Sequence, residues 1–327
     1  MDEKFAQRDC GTNARKSQLA GGLRKIYRPW VRVLRNPSTF PHLPEATPNL
    51  PAPAAAQFIY RRPRRGPWFQ MGDAPGLEWN LVELTLDQLP EALDGARLVH
   101  IGDIHLRTRW MNALDEVIAK LNQNPPDLLL YSGDFVEDRR DHRPALPLLR
   151  KLLSSIHATF GAFATLGNHD GDLLLPHLTA LNVHVITHHR IEVSLRGEKI
   201  ELIGFPGPHR WDLDEAFLRS IPPKTAGMPR IILSHYPDLI RAAGAVGLAP
   251  DLFLAGHTHG GQVCLPGEIQ LLHHDSLPGR LCKGVHDYRG TCLIVTRGLG
   301  FSTLPLRLFC PAEIIEIVLR KSPPKNA

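Results

Sequence analysis

Arg97-Leu-Val-His-Ile-Gly-Asp-Ile-His105 is the stretch on which the fold turns. Five residues of mostly apolar, partly β-branched character run to Gly102, and an aspartate and a histidine follow two positions apart. A short apolar run bounded by glycine reads as a strand buried on both faces, as in parallel sheets. The same grammar recurs along the chain. Asp127-Leu-Leu-Leu-Tyr131 leads to Gly133-Asp134, and Gly161-Ala-Phe-Ala-Thr-Leu166 leads to Gly167-Asn-His-Asp170. Arg230-Ile-Ile-Leu233 leads to Ser234-His235, and Asp251-Leu-Phe-Leu-Ala255 to Gly256-His-Thr-His259. Between these runs, Leu114, Val117, Ile118 and Leu121, and then Leu146, Leu149 and Leu152, repeat at helical spacing. Strands alternating with helices predict an α/β fold in which the five motifs gather at the carboxyl ends of strands.

The motifs carry one kind of chemistry. Asp103, His105, Asp134, Asn168, His235, His257 and His259 offer carboxylate, amide and imidazole donors with no thiolate among them. Singly, each reads as a helix cap or a satisfied core histidine. Jointly they suit a pair of divalent metal ions, with manganese expected, iron or zinc also served, and calcium disfavoured by so much imidazole. Two divalent ions outweigh the charge returned by Asp103 and Asp134, which leaves a pocket suited to an anionic phosphate. Ions about 3.5–4 Å apart generate a nucleophile from water at neutral pH and stabilise both entering and departing oxygens. Hydrolysis of a phosphorus ester or anhydride is the reaction implied.

With Asp-x-His, Gly-Asp, Gly-Asn-His-Asp, a lone His and Gly-His-x-His in that order, the chain resembles the calcineurin-like metallophosphoesterases over roughly residues 94 to 320. The resemblance implies a four-layer α/β/β/α sandwich, with mixed sheets packed face to face and helices outside. It also implies that Asp103, His105 and His259 hold one metal, that Asn168, His235 and His257 hold the other, and that Asp134 bridges them. His169 would then face substrate as a catalytic residue that stabilises the transition state or protonates the leaving oxygen, with Asp170 orienting its ring. Asp170 stands where the Ser/Thr protein phosphatases carry Glu, so a protein phosphatase is not expected. The extended Gly256-His-Thr-His-Gly-Gly-Gln262, with Arg297-Gly-Leu-Gly300, Pro305-Leu-Arg307 and Pro311-Ala-Glu-Ile314, resembles the bacterial, commonly membrane-associated phosphodiesterase branch. That branch includes enzymes similar to UDP-2,3-diacylglucosamine pyrophosphatases of lipid A biosynthesis. The resemblance therefore implies a phosphodiester or pyrophosphate substrate, modestly favouring a lipid-linked one. The alternatives are a soluble cyclic-nucleotide or general phosphodiesterase and, from another class, a non-catalytic interaction module on the same fold.

Other residues that invite a functional reading have plainer explanations. Arg307 near a closing strand reads as a surface or interlayer ion-pair partner. His188-His189 and His273-His274 have no matching motif and read as loop or surface histidines. Gly260 and Gly261 are expected to shape the site. The odd count of five cysteines, without metal spacing, points to a reducing compartment, with Cys264 a buried structural thiol.

Charge divides the chain. Residues 1 to 65 carry a net charge of +9, whereas the whole chain carries +5. Within the basic part, Leu19, Leu23, Ile26, Trp30, Val33 and Leu34 recur near helical spacing among Arg24, Lys25, Arg28, Arg32 and Arg35. Such a segment can lie on an anionic membrane surface, although Gly21, Gly22 and Pro29 weaken a continuous helix, and docking on the catalytic domain is the competing reading. Residues 1–70 are therefore expected to form a basic, proline-rich extension and residues 71–327 the catalytic domain. With Asp2, Glu3 and Asp9 in place of a signal core and no apolar stretch of transmembrane length, the expected location is cytoplasmic, with a peripheral place at the inner membrane open. Nucleic acid is not an expected partner, and the sequence carries no sign of oligomeric state.

Overall fold

Apolar runs that alternate with helical spacing settle into two sheets. The computed structural model describes residues 55–72, 76–271 and 275–323, so the basic segment at 19–35, Cys10 and the His273-His274 pair lie outside them. The strands begin with β1 (Gln57–Arg61), β2 (Phe69–Met71), β3 (Glu78–Leu86), β4 (Arg97–Ile101), β5 (Leu128–Tyr131) and β6 (Ala162–Ala164). They continue with β7 (Val183–Val185), β8 (His189–Leu195), β9 (Glu198–Phe205), β10 (Arg230–Ser234), β11 (Leu252–Ala255) and β12 (Cys264–Leu265). After these come β13 (Ile269–Gln270), β14 (Gly284–Tyr288), β15 (Thr291–Val295), β16 (Leu306–Leu308) and β17 (Glu313–Lys321). A seven-stranded sheet has the order β1-β3-β17-β4-β5-β6-β7 and a six-stranded sheet the order β14-β15-β11-β10-β9-β8. Both are mixed. The β4-β5-β6-β7 and β9-β10-β11-β15 ladders are parallel, while β17 runs antiparallel to β4 and β8 antiparallel to β9.

The period of two along each strand explains the layers. Leu98, Leu130, Leu202, Ile231, Leu233, Leu252, Leu254, Ile294, Ile315 and Ile317 meet in one core between the sheets. Their neighbours Val99, Ile101, Leu129 and Tyr131 face outward onto Leu114, Val117 and Leu121 of helix Ala113–Gln123 and onto Leu149 and Leu152 of helix Leu146–Ser154. On the other sheet, Phe205 at the end of β9 packs on Phe217 of helix Trp211–Ser220 with ring centroids 5.2 Å apart. The chain thus forms the four-layer α/β/β/α sandwich. Strands buried on both faces have no polar side to show, so the sequence carries continuous apolar runs where a solvated sheet would alternate.

Strands before residue 71 join the sheets. β1 pairs antiparallel with β3 from Gln57↔Thr85 to Arg61↔Leu81, and β2 pairs with β16. In this proline-rich extension, Pro63 and Pro67 fall in the connection after the edge strand β1, where a missing N–H costs no ladder bond. The basic knot that follows β1 is anchored as well. Arg62 donates to Glu78 at 2.8 Å through both Nε and Nη2, and to Glu268 at 2.6 Å.

Glu78 also faces Arg297 at 2.5 Å, and Arg297 reaches Glu313 at 2.6 Å, so a buried ionic cluster ties β3, β17 and the loop after β15 together. Burial alone would raise the Glu78 pKa, but Arg62 and Arg297 override it and hold the carboxyl down at about 2. Its stabilising contribution is present above the ordinary carboxylate pKa and is lost as pH falls toward 2. Glu78→Ala leaves Arg297 buried beside a single partner and is expected to cost about 3–5 kcal/mol in denaturant unfolding at pH 7. The deficit should shrink as the pH approaches 2. A loss below about 1 kcal/mol at pH 7 would contradict this role.

Candidate metal centre

β4, β5 and β6 end in one sheet, β10 and β11 end in the other, and the loops beyond them converge across the same edge of the sandwich. Reaching inward from a strand end requires a sharp reversal. Asp103, His105, Asp134, His257 and His259 all adopt positive φ, between 47° and 69°. Left-handed backbone at non-glycine residues costs of order 1 kcal/mol or more each and collects at functional sites; Asp and His tolerate it better than most. The adjoining glycines serve close approach. A Cβ on Gly167 would stand 2.1 Å from Asp134 Oδ1, and one on Gly256 would stand 2.7 Å from Asp103 Oδ2.

All seven donors expected from sequence come together. His105 Nε2 and His259 Nε2 face each other at 2.9 Å, and Asp103 joins them in one cluster. Asn168 Oδ1 lies 2.8 Å from His235 Nε2 and 3.1 Å from His257 Nδ1, forming a second cluster. Between the two sits Asp134, whose Oδ2 is 3.4 Å from His105 Nε2 and 3.4 Å from His235 Nε2. Metal–ligand bonds are about 2.0–2.2 Å, so neighbouring ligands on one octahedral or tetrahedral ion stand about 2.8–3.6 Å apart. The observed separations match that spacing. Asp103 Oδ2 is buried without a hydrogen-bond partner among the described residues, whereas Oδ1 accepts from the His257 N–H at 2.9 Å. An orphaned carboxylate oxygen aimed among imidazole nitrogens fits a cation.

Surrounding groups set each ring. His235 Nδ1 bonds the Ser132 carbonyl at 2.8 Å, and His105 Nδ1 lies 2.6 Å from Glu137 Oε2, which turns Nε2 of both rings into the cluster. Burial alone would lower the His235 pKa, but Asp134 overrides it and lifts it to about 9. Burial pushes Asp103 up to about 6, with Asp134 adding to the shift. Asp134 itself is held well below the ordinary carboxylate range because His235 and His105 outweigh its burial. His100, in β4, stays outside the cluster; burial keeps it neutral with a pKa near 3, and Nε2 bonds Ser132 Oγ at 2.9 Å.

The family profile described as Calcineurin-like phosphoesterase (Metallophos) matches residues 96–261, half of the chain. The chain belongs to that family. It is a metal-dependent phosphoric ester hydrolase, and the family works through a dinuclear metal centre. The chain is 31% identical over 275 residues to the uncharacterized metallophosphoesterase YkuE of Bacillus subtilis, covering 77% of this chain and 90% of that protein. It is 28% identical to the UDP-2,3-diacylglucosamine pyrophosphatase LpxG of Chlamydia trachomatis, covering 73% and 86%. It is also 28% identical to the phosphodiesterase YaeI of Escherichia coli, covering 68% and 82%. Among the described residues, no helix is long and apolar enough to cross a membrane.

Two expectations for this calcineurin-like centre change. Asp170 does not orient the His169 ring. Its carboxylate accepts from the backbone N–H groups of Asp134 at 2.8 Å, Phe135 at 2.7 Å, Val136 at 3.3 Å and Gly167 at 2.7 Å, binding the second motif's loop to the third's. The His169 ring is set by Glu137, whose carbonyl accepts from Nδ1 at 2.6 Å. Arg307 is neither on the surface nor, among the described residues, ion-paired. It is buried, donates to the carbonyls of Arg297, Gly298, Gly300 and Cys310, and approaches His259 Nδ1 at 3.4 Å. His188 is a loop histidine, as expected, half-buried with Nε2 2.6 Å from Asp214 Oδ1.

Two contributors escaped sequence reading. Glu137 lies three positions past Asp134 in no recognised motif, and its only signal was a carboxylate in the same post-strand loop. His209 follows β9, a sixth strand ending at this edge, and its ring lies between Asp214 at 2.9 Å and Asp238 at 2.8 Å. It stacks on Tyr236, which in turn packs on His257.

Asp170→Asn keeps the size but puts an amide N–H₂ where an acceptor is needed. It is expected to weaken manganese affinity about 10–100-fold and lower thermal stability. His169→Ala, outside both donor clusters, is expected to keep the metal content of the wild type. Metal analysis after dialysis checks both, and full metal retention in Asp170→Asn would contradict the role of Asp170 in holding the Asp134 loop.

Proposed function

We propose that the chain hydrolyses a phosphodiester or pyrophosphate bond with two divalent ions, manganese favoured, and that a lipid-linked substrate similar to a UDP-diacyl sugar or a phospholipid is preferred. In this reading Asp103, His105 and His259 hold one ion, Asn168, His235 and His257 hold the other, and Asp134 is shared. The observation that carries it is the position of Asp134 Oδ2, equidistant at 3.4 Å from one imidazole of each set. Bound ions would polarise a phosphoryl oxygen and make water acidic enough to supply a nucleophile at neutral pH.

The chain's own groups do the rest. Asp134 Oδ1 accepts from the His169 N–H at 2.8 Å, so the shared carboxylate and the substrate-facing histidine move as one unit. The His169 ring keeps 24% of its surface exposed, and the bond from Nδ1 to the Glu137 carbonyl leaves Nε2 to meet an incoming oxygen. A proton on that nitrogen is placed for delivery to the leaving group. The lipid preference draws support from the relative named as a UDP-2,3-diacylglucosamine pyrophosphatase, and from exposed Trp68, Phe69, Met71 and Leu304. The basic segment at 19–35 would add affinity for an anionic membrane surface.

A soluble nucleotide diester is the second reading. It is favoured by the ring stack His257–Tyr236–His209–Trp211, with centroid separations of 4.1, 4.5 and 3.8 Å, beside which a base could lie. The purified chain in manganese, offered a UDP-diacyl sugar, a glycerophospholipid, cyclic nucleotides and phosphomonoesters, separates the two. The lipid reading predicts turnover of a lipid-linked diester or pyrophosphate at least tenfold above any soluble nucleotide. Equal turnover of a cyclic nucleotide would overturn it.

A further inference from the structure

His105 has a second neighbourhood. A cavity of about 290 Å³ opens against it, walled mainly by Arg107, Trp110, Met111, Phe301 and Pro305. The lining is largely apolar, and its rings are held in place. Trp110 Nε1 donates to Asp115 at 3.0 Å, and Lys151 Nζ lies 3.7 Å from the Trp110 ring centre. Arg107, at the mouth, donates to Glu137 Oε1 at 2.8 Å and to the Phe301 carbonyl at 3.2 Å, while Arg109 is exposed beside it. The cavity wall continues into the two-stranded antiparallel ribbon of β2 and β16 through Gly72 and Pro305, which share a backbone hydrogen bond of 2.8 Å. That ribbon and its flanks expose Trp68 at 63%, Phe69 at 44%, Met71 at 61% and Leu304 at 53%. Adjoining exposed apolar side chains on this scale mark a binding surface more often than chance.

We infer that the cavity beside His105 takes one apolar chain of an amphiphilic phosphoester, and that the exposed apolar segment Trp68–Met71 receives the rest of its apolar part. This rests on the phosphodiester reading above. The shared wall is the decisive feature. An occupant of the cavity lies against His105, whose Nε2 belongs to the metal-donor cluster, so its polar end falls where a phosphate would sit. The guanidinium groups of Arg107 and Arg109 at the rim complement that anion. The volume lies at the lower edge of the roughly 300–1,000 Å³ of ligand pockets, which suits a single chain and excludes a whole lipid. Met111 supplies a wall that adapts to an unbranched chain.

The test is a series of p-nitrophenyl alkyl phosphates from methyl to decyl, kept below micellar concentrations, with the full chain in manganese. Each methylene entering the cavity is expected to raise kcat/KM about three- to fourfold until the cavity is full, after which the series levels. Thr108→Trp, at an exposed position on the cavity rim, is expected to flatten the series, so that longer esters no longer gain over the methyl ester of the same variant. A flat wild-type series with an active methyl ester overturns the inference and leaves the phosphodiester reading intact. If no ester is cleaved, the phosphodiester reading fails, and calorimetry with methyl- to decylphosphonate reads the cavity alone. Affinity that rises with chain length in the wild type and not in Thr108→Trp supports the site, and affinity independent of chain length overturns it.

Discussion

The structure turns on one carboxylate. Asp134 sits in left-handed backbone, with its N–H held by Asp170, Oδ1 taken by the His169 N–H, and Oδ2 between His105 and His235. Those imidazoles belong to different sheets, so the side chain joins the two halves of the sandwich at their functional edge. Its charge is held in place by His235 and His105 against a burial penalty that alone would protonate it. A site so arranged gathers carboxylate oxygens and imidazole nitrogens around one shared carboxylate, the donor set that divalent cations take.

Holding that arrangement requires rigid support, because strained turns relax when nothing packs behind them. The apolar core between the sheets brings the strand ends to a common edge, and the glycines before Asn168 and His257 let the loops close on Asp134 and Asp103. Away from that edge, the Glu78–Arg297–Glu313 cluster locks β17 beside β3 and carries the tension of a buried charge in the framework. Gly298, one residue after Arg297, sits against the Asp103 side chain, so the framework and the site share a loop.

The donors and most of their strands were legible in the sequence for a physical reason. A strand buried on both faces must be continuously apolar, and a metal ligand at its end must follow a residue small enough to turn, so β4, β5, β10 and β11 matched their apolar runs to within a residue. What stayed hidden was long-range. Asp170 and the His169 ring are adjacent in sequence, and only the fold shows the Asp170 carboxylate turned away to staple the loop of Asp134. Glu137 and His209 act through partners that the chain brings near only on folding. Arg307 looked like an ion-pair partner because buried carbonyls able to receive a guanidinium leave no trace in a sequence. β1 was masked by the prolines in the connection that follows it.

The central claim is that Asp134 is shared by two ions. Electron paramagnetic resonance of the chain loaded with manganese, together with the bound-metal count, tests it most directly. The account predicts two ions per chain with an exchange-coupled spectrum, and simultaneous loss of both in Asp134→Asn. A single uncoupled ion in the wild type, or one ion kept at full affinity by Asp134→Asn, would contradict it.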